Sequence, residues 1–372
     1  MYLQTNYNKM DALLLLEKNM IRMSMTYYYA INIIALYYGY KAIALFLYKM
    51  IQNKNILLFG GSGSLGNQFI QTYLSNNRIV NYSRDECKHW KMSLQYKSDK
   101  LSFIIGDIRD YHRVETAILR EQPNIIVIMA ALKHIDRCEY AIEECVKTNF
   151  SGPMNILNAI EANADRLPSV ECVVFVSTDK ACEPTNVYGM AKALAESAMV
   201  EKSMYIKGCK FVNIRYGNVL NSRGSIIPIL HEKGQDPLVT EFSLTHDEMT
   251  RFVMTLEQSV ALIEHAILYA ESGDTVIPEL ISMNMVDLIT IFSEKYGKPV
   301  RITGLRPGEK MLESLISETQ AMRLVQGPDG YKYIKPPYKN LLVTTDVKNY
   351  NSKLNPLSQN ELMKYMTRLS LI

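Results

Sequence analysis

The chain sets an acid and a lysine side by side, Asp179-Lys180, just after an apolar run ending in Ser177-Thr178, and then places Tyr188 and Lys192 four residues apart. On a helix that spacing puts Tyr188 and Lys192 on one face. An ammonium near a phenol lowers the phenol pKa. The pair therefore suits removal of a proton from a substrate hydroxyl while hydride leaves the same carbon. Tyr188, Lys192 and Thr178 suffice for that oxidation. Asp179 and Lys180 imply a further proton transfer. Oxidation at one carbon acidifies the neighbouring C–H, because the resulting anion spreads onto the new carbonyl. A base can then remove that proton while an acid protonates a leaving hydroxyl, which eliminates water. Lys180 serves as the base only as a free amine, and desolvation in a closed site is expected to depress its pKa. Asp179 serves as the acid only if protonated, through a raised pKa or coupling to Lys180. The plain alternative is a salt-bridged pair on a loop.

Such groups need a hydride acceptor and a scaffold. "GGSGSLG" (60–66) directly follows the apolar run "NILLF" (55–59) and opens a segment of helical spacing, "LGNQFIQTYL" (65–74). Gly60, Gly63 and Gly66 have the spacing that lets a backbone approach a pyrophosphate at a helix N-terminus. A ligand-free βα turn is the alternative. The end of the second strand, "RIVNYS" (78–83), sorts the cofactor. An NAD site usually places an acid there for the ribose 2′-hydroxyl. Here Ser83 and Arg84 come first, and Arg suits a 2′-phosphate. The expectation is NADP, with Asp85 turned away and a solvated Arg84 as the alternative. Asp107-Ile108, after the third strand, suit the adenine amine and ring. Lys133 in "AALKH" (130–134) is a candidate phosphate or hydroxyl contact, or an ordinary surface lysine.

Strands and helices alternate from Asn55 onward. Strands are predicted at 55–59, 78–83, 101–107, 124–131, 172–177 and 210–216, with helices at 65–74, 110–121, 139–163 and 187–203. Asp110 is a plausible cap. The alternation predicts a Rossmann-type, doubly wound parallel α/β sheet with both faces covered. After Asn218 the alternation fades, prolines punctuate shorter elements, and helices are predicted at 255–270 and 285–297. The expected organisation is an N-terminal helical extension (1–53), a dinucleotide-binding domain (54–220), and a smaller substrate domain with a C-terminal tail (221–372). The segment after about residue 327 reads as irregular.

Composition narrows the function class. The 372 residues are 48% hydrophobic with a net charge of +3, which gives no electrostatic case for nucleic acid. Six scattered cysteines without a C-x-x-C pair suggest buried thiols in a reducing, cytoplasmic compartment rather than zinc or disulfides. Residues 26–48, "TYYYAINIIALYYGYKAIALFLY", are long enough to span a membrane but carry Asn32, Gly39 and Lys41. Lys41 alone would cost about 2.5–3.5 kcal/mol near a bilayer centre. The expectation is a helix covered by protein or lying on a membrane surface.

Taken together, the motifs resemble the inverting UDP-N-acetylglucosamine 4,6-dehydratases, which are extended short-chain dehydrogenase/reductases. The resemblance runs from about Asn55 to Ser317. It is carried by "GGSGSLG", "YSRDE" (82–86), "AALKH", "KTN" (147–149), "STDKA" (177–181), "YGMAK" (188–192), "RYGNV" (215–219), "SRGSIIP" (222–228), "MTRF" (249–252) and "RPGEK" (306–310). The Asp-Lys pair is specific to this group, since related dehydratases of other sugars usually carry Asp-Glu there. Met129 departs from a position where the family often has a small residue, and the N-terminal extension is outside the resemblance. The resemblance implies UDP-N-acetylglucosamine as substrate, NADP as cofactor and a homo-oligomer. Tyr188 would deprotonate the C4 hydroxyl, Lys180 would take the C5 proton, and Asp179 would help the C6 hydroxyl leave. Cofactor contacts would come from Gly60, Ser62, Gly63, Ser64, Leu65, Gly66, Ser83, Arg84, Asp107, Ile108, Ala130, Lys133, Thr148, Tyr188, Lys192 and Val219. Lys133, Asn218, Arg251, Arg306 and Glu309 would hold the substrate. A C5-retaining dehydratase, a 4-epimerase and a non-catalytic dinucleotide-binding scaffold are the competing readings.

Overall fold

The computed structural model describes residues 51–339 and 349–372. The chain divides into two units at residue 50, and the described residues belong to the second. The stretch 26–48, and with it the expected helical extension up to residue 50, lies outside the described residues. Among the described residues, no helix is long and apolar enough to cross a membrane.

The first half of the described chain alternates as its apolar runs require: β1 (Asn55–Phe59), α1 (Ser64–Tyr73), β2 (Arg78–Ser83), α2 (Glu86–Tyr96), β3 (Leu101–Ile105), α3 (Tyr111–Glu121) and β4 (Ile125–Ile128). Asp85 and Asp110 start α2 and α3 by accepting hydrogen bonds from Lys88 N and Arg113 N, each at 3.0 Å. These bonds satisfy amides that the first helical turn leaves without partners. Every residue of β4 is buried. A strand covered by helices on both faces has no solvent side, so its sequence does not alternate.

The predicted single helix over 139–163 is broken. The structure has α4 (Ile135–Tyr140), α5 (Ile142–Val146), a wide π turn at Lys147–Ser151 and α6 (Gly152–Ala162). Pro153 explains the wide turn. It has no N–H for the carbonyl four residues back, so the ladder opens there. The opening buries Thr148 and Asn149.

β5 (Cys172–Val176), α7 (Val187–Tyr205) and β6 (Lys210–Ile214) complete the alternating region. Asn186 caps α7 by accepting from Gly189 N at 2.7 Å. Strands β3-β2-β1-β4-β5-β6 lie side by side and parallel. Chain order reverses between β1 and β4, which opens a crevice at the carboxyl ends of the strands.

The sheet draws strands from both sides of residue 220. After β7 (Asn218–Val219), α8 (Ile226–Gln235), β8 (Phe242–Leu244) and β9 (Thr250–Met254), the chain returns through α9 (Leu256–Tyr269) to β10 (Thr275–Ile277), parallel to β6. Further on come β11 (Ile281–Asn284), α10 (Met285–Tyr296), β12 (Val300–Ile302), β13 (Ser314–Ile316) and α11 (Glu318–Ala321). β14 (Leu324–Gln326) and β15 (Lys332–Ile334) then pair antiparallel at the sheet edge. The segment that reads as irregular after residue 327 thus contributes a strand, too short to show a period. β16 (Tyr350–Asn351), β17 (Pro356–Leu357) and α12 (Gln359–Arg368) end the chain. A second, smaller core gathers Leu220, Ile227, Phe242, Leu288, Phe292, Leu362 and Met366. It is built around the sheet β17-β11-β9-β7. The architecture is the expected doubly wound α/β fold with a smaller body attached.

Candidate active site

A cavity of about 710 Å³ opens at the carboxyl ends of the strands, beside the crevice between β1 and β4. Gly60 to Gly66, apart from Gly61, line its floor. Gly60 has φ +95°, and a Cβ there would meet the Ala130 backbone at 2.7 Å. Only glycine lets the first turn lie that close to the β4 loop. Ser83, Arg84, Ile108, Ala130, Lys133, Thr148, Thr178, Lys180, Tyr188, Lys192, Asn218 and Val219 line the same cavity.

At one end, Ser83 Oγ meets His89 Nε2 at 2.6 Å, and Arg84 lies 3.6 Å from Asp107 with its side chain mostly exposed. Asp85 also lines the cavity, against the expectation that it turns away, but its carboxylate is engaged as the α2 cap and pairs with Lys88 at 2.5 Å. Asp107 does not line the cavity, because its carboxylate is committed to Arg109 at 2.7–3.1 Å. Burial works to raise the Asp107 carboxyl, but hydrogen bonds from Arg109 and the Arg84 charge outweigh it and hold it below the usual carboxylate range.

In the middle, Asn149 fixes the β4 loop. Its side chain accepts from Leu132 N at 2.8 Å and donates to Leu132 O at 2.9 Å. Lys133 Nζ donates to Arg223 O at 2.5 Å, while Arg223 N donates to Ser64 Oγ at 3.0 Å. The 222–225 loop is thereby tied to both the glycine loop and the β4 loop. Burial, then the Arg223 charge, pushes the Lys133 amine below its ordinary value.

The proton-transfer groups meet at the end of β5. Asp179 is fully buried and behind the cavity wall, not on it. Its N–H donates to Tyr216 O at 2.9 Å. Its Oδ1 accepts from Thr178 Oγ1 and from Lys180 Nζ, both at 2.9 Å. Lys180 reaches the cavity, and its Nζ also donates to Asn218 Oδ1 at 3.2 Å and lies 3.6 Å from Glu313 Oε1. Lys192 Nζ donates to Val176 O at 2.6 Å and sits 4.0 Å over the Phe175 ring.

Two electrostatic expectations are corrected. Lys180 is pushed up, not down. Burial lowers its pKa, but Asp179 and Glu313 on either side more than offset it and keep the ammonium. Tyr188 is also pushed up. Burial dominates and the Asp179 carboxylate adds to it, while the Thr178 hydroxyl partly offsets both by hydrogen bonding. Lys192, expected to help ionise Tyr188, is itself lowered to about 7 by burial.

The substrate residues expected from the second half do not all reach the cavity. Asn218 lines it. Arg251 is buried and donates to Thr250 O at 2.7 Å. Arg306 is mostly exposed and pairs with Glu309 at 2.5 Å, and neither lines the cavity. Sequence reasoning missed Asn149 and Glu313. The proline that opens the 147–151 turn was a usable signal for Asn149. Glu313 has no local signal, since only folding brings it to Lys180.

Residues 56–334 match the family described as polysaccharide biosynthesis protein. The chain belongs to that family. An inverting UDP-N-acetylglucosamine 4,6-dehydratase of Campylobacter jejuni is 33% identical over 78% of this chain and 85% of its own length. A UDP-glucose 4-epimerase of Rickettsia prowazekii is 33% identical over 84% of this chain and 96% of its own. Among solved structures, Pen from Bacillus thuringiensis superposes with a TM-score of 0.78 at 30% identity, covering 86% of this chain and 99% of that one. The resemblance carried by the motifs is borne out at family level. As a member of the polysaccharide biosynthesis family, the chain is a nucleotide-sugar dehydratase or epimerase.

Proposed function

We propose that the chain converts UDP-N-acetylglucosamine to its 4-keto-6-deoxy product with inversion at C5, using NADP. The observation that carries this reading is that Lys180 and Tyr188 line one end of a dinucleotide-sized cavity, with Asp179 bonded to Lys180 just behind the wall. Oxidation and re-reduction at C4 need Tyr188 and Lys192. Only elimination gives the Asp179–Lys180 pair work to do.

The cavity suits a nicotinamide dinucleotide. Thr148 Oγ1 and Ser177 Oγ are buried on its wall without hydrogen-bond partners among the described residues, and buried hydroxyls need partners. The loop 60–66 would hold the pyrophosphate, Ile108 the adenine, and Lys192 the ribose. Ser83 and Arg84, with Asp85 diverted to the α2 cap, support a 2′-phosphate and hence NADP. When bound, the dinucleotide supplies a hydride acceptor at C4 that later serves as donor at C6.

The chain's own residues manage the protons. Tyr188 takes the C4 hydroxyl proton, helped by the Thr178 hydroxyl. Lys180 takes the C5 proton, and Asp179 gives one to the departing C6 hydroxyl through the Thr178 hydroxyl, which lines the cavity 2.9 Å from Asp179 Oδ1. Arg306 and Glu309 would reach the UDP portion only if the 306–310 segment closes over it, and Arg251, on β9, only if its side chain leaves Thr250 O. A 4-epimerase is the second reading, favoured by the Rickettsia relative. Incubation with UDP-N-acetylglucosamine, without added cofactor, separates the two. Loss of one water by mass spectrometry, with deuterium at an inverted C5 in heavy water, supports the dehydratase. An isomer of unchanged mass overturns it.

A further inference from the structure

Glu313 is a titratable side chain at this site that the proposed chemistry leaves unused. It lies just ahead of β13 and is 1% exposed. Ser352 pins its backbone. The Glu313 N–H donates to Ser352 Oγ at 3.0 Å, and its carbonyl accepts from Ser352 N at 2.8 Å. Ser352 Oγ is in turn 2.8 Å from Thr250 Oγ1 on β9. Glu313 Oε1 faces Lys180 Nζ at 3.6 Å. Oε2 has no hydrogen-bond partner among the described residues, and its ion-pair neighbour Lys310 is 3.9 Å away. Lys310 spends a donor on Cys182 O at 2.9 Å.

The charged groups around Glu313 are Asp179 and Lys180 after β5, Arg251 on β9, and Lys310. Burial pushes the Glu313 carboxyl above its ordinary range. Lys180 pulls it down, Asp179 adds to the rise, and Arg251 and Lys310 do not reverse it. An unpaired buried oxygen also costs less on a neutral acid than on a carboxylate.

Two carboxylates on one ammonium pose a proton problem. Elimination needs Lys180 as an amine and Asp179 as an acid. That form differs from the resting ion pair by one proton moved along the 2.9 Å bond between Nζ and Oδ1. We propose that Glu313 is a positioning residue that gates this proton. As a neutral acid it leaves Lys180 opposed by Asp179 alone, and as a carboxylate it keeps the proton on Lys180. The balance closes within the pair. An Nζ–H bond breaks and an Oδ1–H bond forms. The amine then takes the C5 proton, and Asp179 passes its own to the Thr178 hydroxyl 2.9 Å away, which gives up its hydrogen to the leaving hydroxyl. The inference rests on the dehydratase reading.

The test is the pH profile of kcat for water loss from UDP-N-acetylglucosamine, with the cofactor-loaded full chain. The parent should slow as pH rises through the Glu313 titration. Glu313→Gln, permanently neutral, should lose that fall and outpace the parent by about tenfold for each pH unit above the midpoint. Glu313→Asp should restore the fall. A Gln variant that slows in parallel with the parent overturns the proposal. NMR of isotopically labelled lysine gives a readout independent of turnover. The Lys180 signal, assigned by its loss in Lys180→Ala, should show an inflection from Glu313 in the parent. Absence of that inflection overturns the proposal even if the Gln variant does not fold. An inflection in a protein that releases no water overturns the dehydratase reading and leaves the Glu313–Lys180 coupling standing.

Discussion

Replacing Gly189 by Ala tests whether the approach of α7 to the Asp179–Lys180 turn sets the active geometry. A Cβ at Gly189 would lie 2.2 Å from the Lys180 carbonyl oxygen, backbone rather than a yielding side chain. Real Cβ atoms essentially never come within 3.0 Å, so helix and turn must separate by about 0.8 Å, from 2.2 to 3.0 Å. The turn has little slack, since Asp179 N is tied to Tyr216 O at 2.9 Å and Lys180 Nζ to Asn218. A misplacement near 1 Å can cost about a hundredfold in rate. Stability should change far less. Overpacking costs about 1–3 kcal/mol, and better helix propensity returns at most about 1 kcal/mol. The assay pairs kcat for water release with cofactor content and thermal melting. The expected result is a folded, cofactor-loaded protein that melts a few degrees lower and turns over about a hundredfold more slowly. A Gly189→Ala protein within about twofold of the parent rate would refute the premise that this close approach fixes the geometry.

Lys180→Ala should keep its cofactor and still oxidise C4, seen as accumulating reduced nicotinamide absorbance, while water release falls by about 10²–10⁴. Water release at the parental rate would remove Lys180 as the base. Arg84→Ala should weaken NADP by about 10–100-fold, as expected for a lost hydrogen bond to a charged group, and leave NAD nearly unchanged. Equal losses in a binding titration would count against NADP. Lys192 sheds its proton near pH 7 in the folded protein against an ordinary value of 10.5, because burial penalises its charge. Between those values the unfolded chain binds the extra proton. Stability of the cofactor-free protein should therefore climb from pH 7 to 9 and lose that increment as pH falls back towards 7. Denaturant titrations should show a flatter climb for Lys192→Met, and an identical slope would contradict the burial argument.

Much of the dinucleotide site is legible in the sequence because it is built from short-range pieces. Gly60, Gly63 and Gly66 sit within one strand-turn-helix unit. Ser83 ends a strand and Ile108 and Lys133 follow strands whose apolar runs mark their ends, and parallel strands bring those ends to one crevice. Tyr188 and Lys192 follow from helical spacing. The 147–151 turn was harder, because a single proline inside apolar spacing changes the ladder without breaking the pattern. The route of the chain past residue 220 was harder still. β10, β14 and β15 are three residues each, too short to carry a period.

The sequence by itself determined the doubly wound fold, the glycine loop and the identities of Asp179, Lys180, Tyr188 and Lys192, since each depends on neighbours within a turn or a strand. Tertiary structure decided the protonation of Lys180, Tyr188 and Lys192. Lys180 keeps its charge because Asp179 beside it and Glu313, more than 130 residues further along the chain and folded against it at 3.6 Å, together outweigh its burial. Tyr188 is raised because α7 buries it beside Asp179. Arg251 turns into the protein and Arg306 towards Glu309, although both read as substrate ligands. A motif fixes which groups are present. Charge state depends on burial and on every charge within a few ångströms, and long-range packing alone supplies those.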